Sequence, residues 1–349
     1  MSGPDLFNVS SYDYELPGEL IAQNPADPRD SSRLMVLDRQ DGRIRHSVFS
    51  SLGDFLAPGD LLVLNDTKVI PARLHGTKKP GGAKIEILLL KGLNPRWNEW
   101  EALVKPGKKV SPGTEIILAD GTEIRVGERL GEGLRTVSFP EGTNVLPLLE
   151  RIGETPLPPY INRSTAPRSS YQTVFARKDG SAAAPTASLH FTDALLENLR
   201  KEKGIRTAWL TLHVGLGTFR PVKCTDIREH IIHEEFCVLP AESKEIIGET
   251  KRSGGKVIAA GTTVARTLES LANNEGELES GSRNTRLFIY PGYRYKIIDG
   301  LITNFHLPKS SLLMLVAAFA GYDFIMKAYS EAVAGKYRFF SFGDAMFIR

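Results

Sequence analysis

From residue 190 onward, stretches with helical spacing alternate with short apolar extended runs. This alternation constrains the fold more than any other feature of the chain. Helices are expected at 192–203, 242–253, 262–273, 308–319 and 323–334, and extended segments at 206–214, 256–260, 285–290 and 301–304. Such an order builds an α/β domain on a mostly parallel sheet, with ligands bound where strands end and loops begin. Thr192 is of N-cap type and Gly204 of stop type for the first helix. The run LLVLN at 61–65 is apolar on both faces and so belongs in the middle of the sheet. Residues 33–49 form a hairpin turning at Asp41-Gly42.

Between 67 and 155 the helical spacing is replaced by short alternating runs separated by Pro-Gly, Gly-Gly and Asp-Gly turns. Strands at this spacing suggest a small barrel. Pro156, Pro158 and Pro159 make a stiff return. The expected fold is therefore a large mixed α/β domain made of 1–65 and 156–349, with a small β-barrel inserted at 66–155. Residues 66–110 carry ten Lys or Arg against four Asp or Glu, and residues 111–155 carry four against eight. The basic half is suited to RNA phosphates, although an ordinary solvated face shows the same pattern.

Composition narrows the classes. Two cysteines 13 residues apart, Cys224 and Cys237, give neither a zinc spacing nor a redox pair and fit a reducing cytosol. The N-terminal stretch has no basic-then-apolar signal pattern. The longest apolar run, 311–321, is shorter than the ~20 residues of a membrane span and is expected as a buried helix. The expectation is a cytoplasmic, monomeric protein with no membrane association.

Chemistry-bearing residues cluster at 182–235, which holds four of the seven histidines: His190, His213, His230 and His233. In APTASLHF, small residues precede a helix start. His190 is expected at its mouth, where the positive helix end favours a neutral imidazole able to act as a base. HVGLGTFR offers Gly215 and Gly217 for close backbone approach, with Thr218 and Phe219 beside a ligand; the third glycine of a dinucleotide fingerprint is missing. In HIIHEE, a helix would put His230 and His233 on one face as metal-type ligands, but no further ligand stands at a recognised spacing. Acid–base work by His233 and Glu235 fits this stretch better. AGTTVAR leads from a strand into a helix, so Gly261, Thr262 and Thr263 make a cradle for a carboxylate or phosphate, with Arg266 one turn in. Tyr293 follows a Pro-Gly turn and offers a stacking face, while Asn304 and His306 are hydrogen-bonding candidates. The polar stretch 161–180, with Arg163, Arg168, Arg177 and Lys178, reads as a surface loop able to grip phosphate. Arg338 stands among aromatic residues, in a pattern suited to nucleotide stacking or to simple burial.

These stretches taken together, with YELPGELIAQNP, RDSSRLMVLDR, PGDLLVLNDTKVIPARL, GGAKIEILLL, LPPYI, FIYPGY, LITNFHLPKSSLLMLVAAFAG and YRFFSFGDAM, resemble the S-adenosylmethionine:tRNA ribosyltransferase-isomerase family of queuosine biosynthesis along the whole chain. Four places depart from the usual family pattern: Ser188 for glycine, Ile232 for methionine, Val264-Ala265 where a serine-valine pair is usual, and Phe342 for tyrosine. Ser188 matters if its backbone requires a positive φ.

The resemblance implies transfer and isomerisation of the ribosyl part of S-adenosylmethionine onto 7-aminomethyl-7-deazaguanine at the tRNA wobble position, with release of adenine and methionine. It implies an α/β domain with an inserted barrel, and no cofactor or metal beyond S-adenosylmethionine as co-substrate. On that reading His190 or His233 is the base and Glu235 orients it. Gly261, Thr262, Thr263 and Arg266 hold the methionine carboxylate. His213, Gly215, Gly217, Thr218, Phe219, Tyr293, Asn304 and His306 line the substrate pocket. Arg163, Arg168, Arg177, Lys178 and Arg338 meet tRNA. The competing readings are a metal-dependent hydrolase built on the 190–235 cluster and a non-catalytic RNA-binding protein.

Overall fold

The computed structural model describes residues 3–131, 133–215 and 222–349. The chain divides into two compact units. One comprises Met1–Asp66, Pro159–Ala176 and Pro185–Arg349, and the other comprises Thr67–Pro158 and Arg177–Ala184.

Among the described residues, nine strands of the first unit form one sheet. Its order is Gly281–Thr285, Glu235–Leu239, Arg206–Leu212, Leu61–Asn65, Val257–Ala260, Gly300–Asn304, Ala345–Ile348, Arg33–Leu37 and Ile44–Val48. Leu61–Asn65 is buried throughout and lies between two parallel neighbours, as its two-faced apolar pattern requires. The four strands from Arg206–Leu212 to Gly300–Asn304 are mutually parallel. Outside them the sheet is mixed rather than mostly parallel. Hairpin-like partners sit at both edges, and Ala345–Ile348 runs antiparallel to Gly300–Asn304. On one face Phe49, Leu64, Phe191, Ile258, Ile302 and Phe347 form a continuous buried cluster.

Local chemistry sets the helix ends. Thr192 accepts from the Leu195 amide and starts the helix Asp193–Lys201. Ser310 accepts from the Leu313 amide at 3.2 Å, so the last helix pair begins at Ser311 rather than at residue 308. Ser311–Ala320 is largely buried and meets Tyr322–Ala334 at a 117° bend. Among the described residues no single helix is long and apolar enough to cross a membrane. The extended segment expected at 285–290 is displaced, because the paired strand is Gly281–Thr285, on the edge beside Glu235–Leu239.

The second unit is a closed barrel of six strands: Leu134–Ser138, Glu99–Lys105, Lys84–Gly92, Arg73–Lys79, Glu115–Leu118 and Glu123–Gly131. Lys178–Ser181, expected as loop, is a strand of this unit and pairs in parallel with Thr67–Val69.

Candidate active site at the strand ends

The four central parallel strands bring His213, Asn65, Gly261 and Asn304 to their carboxyl ends, where ligands of open α/β sheets bind. Two side-chain clusters form there.

The first centres on His190, which closes the 3-10 turn Thr186–His190 and is 4% exposed. Its ring stacks on Phe49 at 4.9 Å. Nδ1 lies 2.7 Å from Ser32 Oγ, and Nε2 lies 3.2 Å from Asn304 Nδ2. Asn304 Nδ2 also donates to the Phe340 carbonyl at 3.0 Å. A carbonyl only accepts, so this atom is the amide nitrogen and His190 Nε2 is the acceptor. The remaining proton therefore sits on Nδ1 and is donated to Ser32. Burial, reinforced by the Arg338 and Arg29 charges, pushes the His190 pKa down to about 3. The neutral form expected from sequence is thus present, but its chief cause is desolvation, not the dipole of the following helix. Asn304 Oδ1 is buried and has no hydrogen-bond partner in the protein among the described residues.

The second cluster joins Arg266 to Glu235. Arg266 Nη1 bonds Glu235 Oε2, and Nε donates to the Leu287 carbonyl at 3.1 Å. Glu235 Oε1 accepts from the Gly215 amide at 3.0 Å. Both side chains are at most 5% exposed. Arg266 Nη2 is buried without a partner among the described residues. Here Glu235 anchors a guanidinium and the backbone at Gly215, whereas the sequence assigned it to a histidine.

Gly261 connects the clusters. It caps the helix Thr262–Leu271 with φ of 112°, a left-handed value that favours glycine, and a Cβ there would lie 3.6 Å from the Ala187 methyl. Thr263 Oγ1 receives Asn65 Nδ2 at 3.3 Å, and Ser188 Oγ donates to the Ala260 carbonyl at 3.3 Å. Ser188 lies inside the 3-10 turn and is absent from the positive-φ positions, so serine meets no backbone obstacle. His306, also pushed down to about 3 by burial, bonds Thr303 Oγ1 through Nε2 at 2.8 Å.

The remaining candidates fall as follows. His213 is stacked near Phe236 and donates its amide to the Phe236 carbonyl. Gly217, Thr218 and Phe219 lie outside the described residues. His230 and His233 do not share a helical face: the local 3-10 turn ends at Glu229, and an extended segment leads into the strand Glu235–Leu239. Among the described residues no group of three or more His, Cys, Asp and Glu is disposed to hold a metal ion. Tyr293 donates to Glu269 Oε2 at 3.1 Å. Arg338 pairs with the buried Asp344 and donates to the Asn24 carbonyl at 3.4 Å. The Arg163 amide is held by Gln23 Oε1 at 3.1 Å, and Arg168 opens the 3-10 turn Arg168–Tyr171. Arg177 and Lys178 belong to the barrel unit.

Several residues of this region were not singled out from sequence. Ser32 and Asn65 stand inside the recognised stretches RDSSRLMVLDR and LLVLND, but their partners are distant in sequence. Glu269 is 2% exposed and accepts from Tyr293 Oη and from the amides of Lys296, Ile297 and Ile298, so one carboxylate shapes the 293–298 loop. Gln23 and Asn24 likewise hold the amides of 162, 163, 165 and 166.

A mixed α/β unit with polar clusters at its strand ends, together with a closed barrel, defines a two-unit α/β protein whose candidate site is made of neutral imidazoles, a buried guanidinium and a helix N-terminus. The chain belongs to the queuosine biosynthesis protein family, whose sequence model matches residues 9–348. A Halothermothrix orenii protein described as an S-adenosylmethionine:tRNA ribosyltransferase-isomerase is 54% identical over 341 residues, covering 97% of this chain and 99% of that protein. A Thermosipho africanus protein of the same description is 55% identical over 340 residues, with the same coverage. The crystal structure of an S-adenosylmethionine tRNA ribosyltransferase from Thermotoga maritima is 43% identical, covers 97% of this chain and 100% of that one, and superposes with a TM-score of 0.57.

Proposed function

We propose that this chain is a transferase that moves and isomerises the ribosyl moiety of S-adenosylmethionine onto tRNA, with 7-aminomethyl-7-deazaguanine at the wobble position as acceptor and adenine and methionine as the other products. The end-to-end similarity to ribosyltransferase-isomerases supports the reaction class. The observation that supports the site is that Arg266 Nη2 and Asn304 Oδ1 are buried polar atoms with no partner among the described residues. Buried polar atoms are nearly always satisfied, so such a donor and such an acceptor are each suited to a polar group of a ligand.

Arg266 Nη2 and the amides of Thr262 and Thr263 bind the methionine carboxylate, at the positive end of the helix. Glu235 holds the guanidinium in place through its ion pair. Asn304 Oδ1 accepts from an N–H of the substrate, and His190 holds Asn304 in that orientation. His190 serves to orient Asn304, and His233 is the histidine assigned to remove the proton from carbon next to the sulfonium. His213, Gly215, Tyr293 and His306 serve the adenosine and the unpaired base, where aromatic faces stack. Arg163, Arg168, Arg177, Lys178 and Arg338 contribute positive charge toward tRNA.

The test is a binding and turnover comparison. Arg266→Met should abolish S-adenosylmethionine binding, and His233→Gln should retain binding while losing adenine release. Full turnover by His233→Gln would remove it from the mechanism.

A further inference from the structure

One end of the barrel combines a groove with an excess of positive charge. The groove encloses about 880 Å³ and is lined by Lys84, Lys105, Pro106 and His75, with Glu86 as its one carboxylate. Pro106 runs directly into the turn Gly107–Lys109, which adds Lys108 and Lys109. Lys78 Nζ donates to the Lys109 carbonyl at 2.9 Å, which fixes this turn against the strand Arg73–Lys79. Lys84, Lys105, Lys108 and Lys109 are exposed, and none has a carboxylate within ion-pair distance among the described residues. By contrast, Lys79 at the same end is paired with Glu123 at 2.8 Å.

A second feature sits beneath that turn. Arg135 is 5% exposed inside the barrel. Its Nη2 donates to the Gly107 carbonyl at 2.8 Å, and its Nη1 is buried with no partner among the described residues. Among the described residues no carboxylate pairs with it. A buried guanidinium without a counter-charge is unfavourable in the isolated protein, and an anion held at the 105–109 turn relieves it.

We infer that this barrel-end groove is a binding site for the phosphodiester backbone of RNA, built from Lys84, Lys105, Lys108 and Lys109 over the buried Arg135. The inference rests on the reading that tRNA is the substrate, and it adds a contact region separate from the strand-end site. Lysines on ordered turns bind phosphates as point charges without reading sequence, so the groove supplies affinity and leaves the choice of base to the other unit.

Counterion release makes the proposal measurable. Each phosphate neutralised contributes about 0.9 to the slope of log K against log salt on duplex and about 0.7 on single strands. The experiment compares wild type with the Lys84→Ala/Lys105→Ala/Lys108→Ala/Lys109→Ala variant, measuring tRNA affinity by anisotropy across a salt series. A control variant, Lys244→Ala/Lys327→Ala, removes exposed positive charge elsewhere. The groove variant should lose roughly tenfold or more in affinity and about 3 in salt slope, raise KM for tRNA, and leave KM for S-adenosylmethionine and saturated kcat unchanged. An unchanged slope, or an equal per-charge loss in the control, overturns the groove. Wild-type adenine release reads the reaction independently. If it is absent while the groove variant still loses its slope, the reaction reading falls and the groove stands. If it is present and the variant binds tRNA like wild type, the groove alone falls.

Discussion

His190 Nε2 accepts a hydrogen bond from Asn304 Nδ2 at 3.2 Å, and the Phe340 carbonyl on the same nitrogen sets the direction of that bond. An aspartate at 304 has no donor for Nε2, so a proton on His190 becomes favourable in its place. Asn304→Asp should raise the His190 pKa well above its present value of about 3 and reduce kcat/KM by roughly 100-fold through misplacement of the 304 side chain. Titration of the His190 ring resonances by NMR checks the first effect. An unshifted resonance would show that the bond runs otherwise.

Acid sensitivity follows from the two buried histidines. His190 and His306 are held neutral to about 3 when folded, against 6.5 as the ordinary value. Between those values the unfolded chain binds more protons than the folded one. Their contribution is therefore fully present above pH 6.5 and is lost as pH falls toward 3, at up to ~1.4 kcal/mol per pH unit for each. Urea unfolding of His306→Gln at pH 7 and pH 5 should show a smaller loss of stability than wild type over that interval. An identical loss would contradict burial as the cause.

The Arg266–Glu235 pair separates stability from function. Arg266→Met removes the guanidinium that pairs with the buried Glu235 carboxylate and should destabilise by about 3–5 kcal/mol. Adding Glu235→Gln removes the stranded charge and should restore a good part of that loss. S-adenosylmethionine binding should stay absent in both variants. Recovery of binding in the double variant would show that Nη2 holds no ligand.

Gly261 and Ser188 make opposite demands. Gly261→Ala forces a side chain into φ of 112° beside Ala187 and should cost about 1–3 kcal/mol together with the geometry of the helix start. Ser188→Gly gives up one bond to the Ala260 carbonyl, about 0.5–1.5 kcal/mol, and should keep activity. Thermal unfolding and adenine release measure both. A silent Gly261→Ala would remove the cradle from the site.

Local chemistry made the helix cap at Thr192 and the central run at 61–65 readable, because each depends on neighbours a few residues away, whereas the start of the later helix at Ser311 was misplaced to 308. Sheet order was not readable, since Ala345–Ile348 lies between strands that start near residues 33 and 300. The segment RLFIY after Arg283-Asn-Thr has the β-branched and aromatic content of a strand, yet the paired segment is Gly281–Thr285, chosen by the edge beside Glu235–Leu239. In the site, His190, Arg266 and Asn304 were legible as residue types in suggestive loops. Their partners were not. Ser32 and His190 are 158 positions apart, and Glu235 gives no local sign that it serves Arg266. The helical face considered at 230–233 does not form, because the 3-10 turn ends at Glu229 and the chain runs extended into Glu235–Leu239, with Ile231 84% exposed.

Incubation of the purified chain with S-adenosylmethionine and tRNA carrying 7-aminomethyl-7-deazaguanine tests the central claim most directly. Adenine and methionine should appear in equal amounts, matched by ribosyl-modified tRNA. Absence of adenine with correctly modified tRNA and folded protein would contradict it.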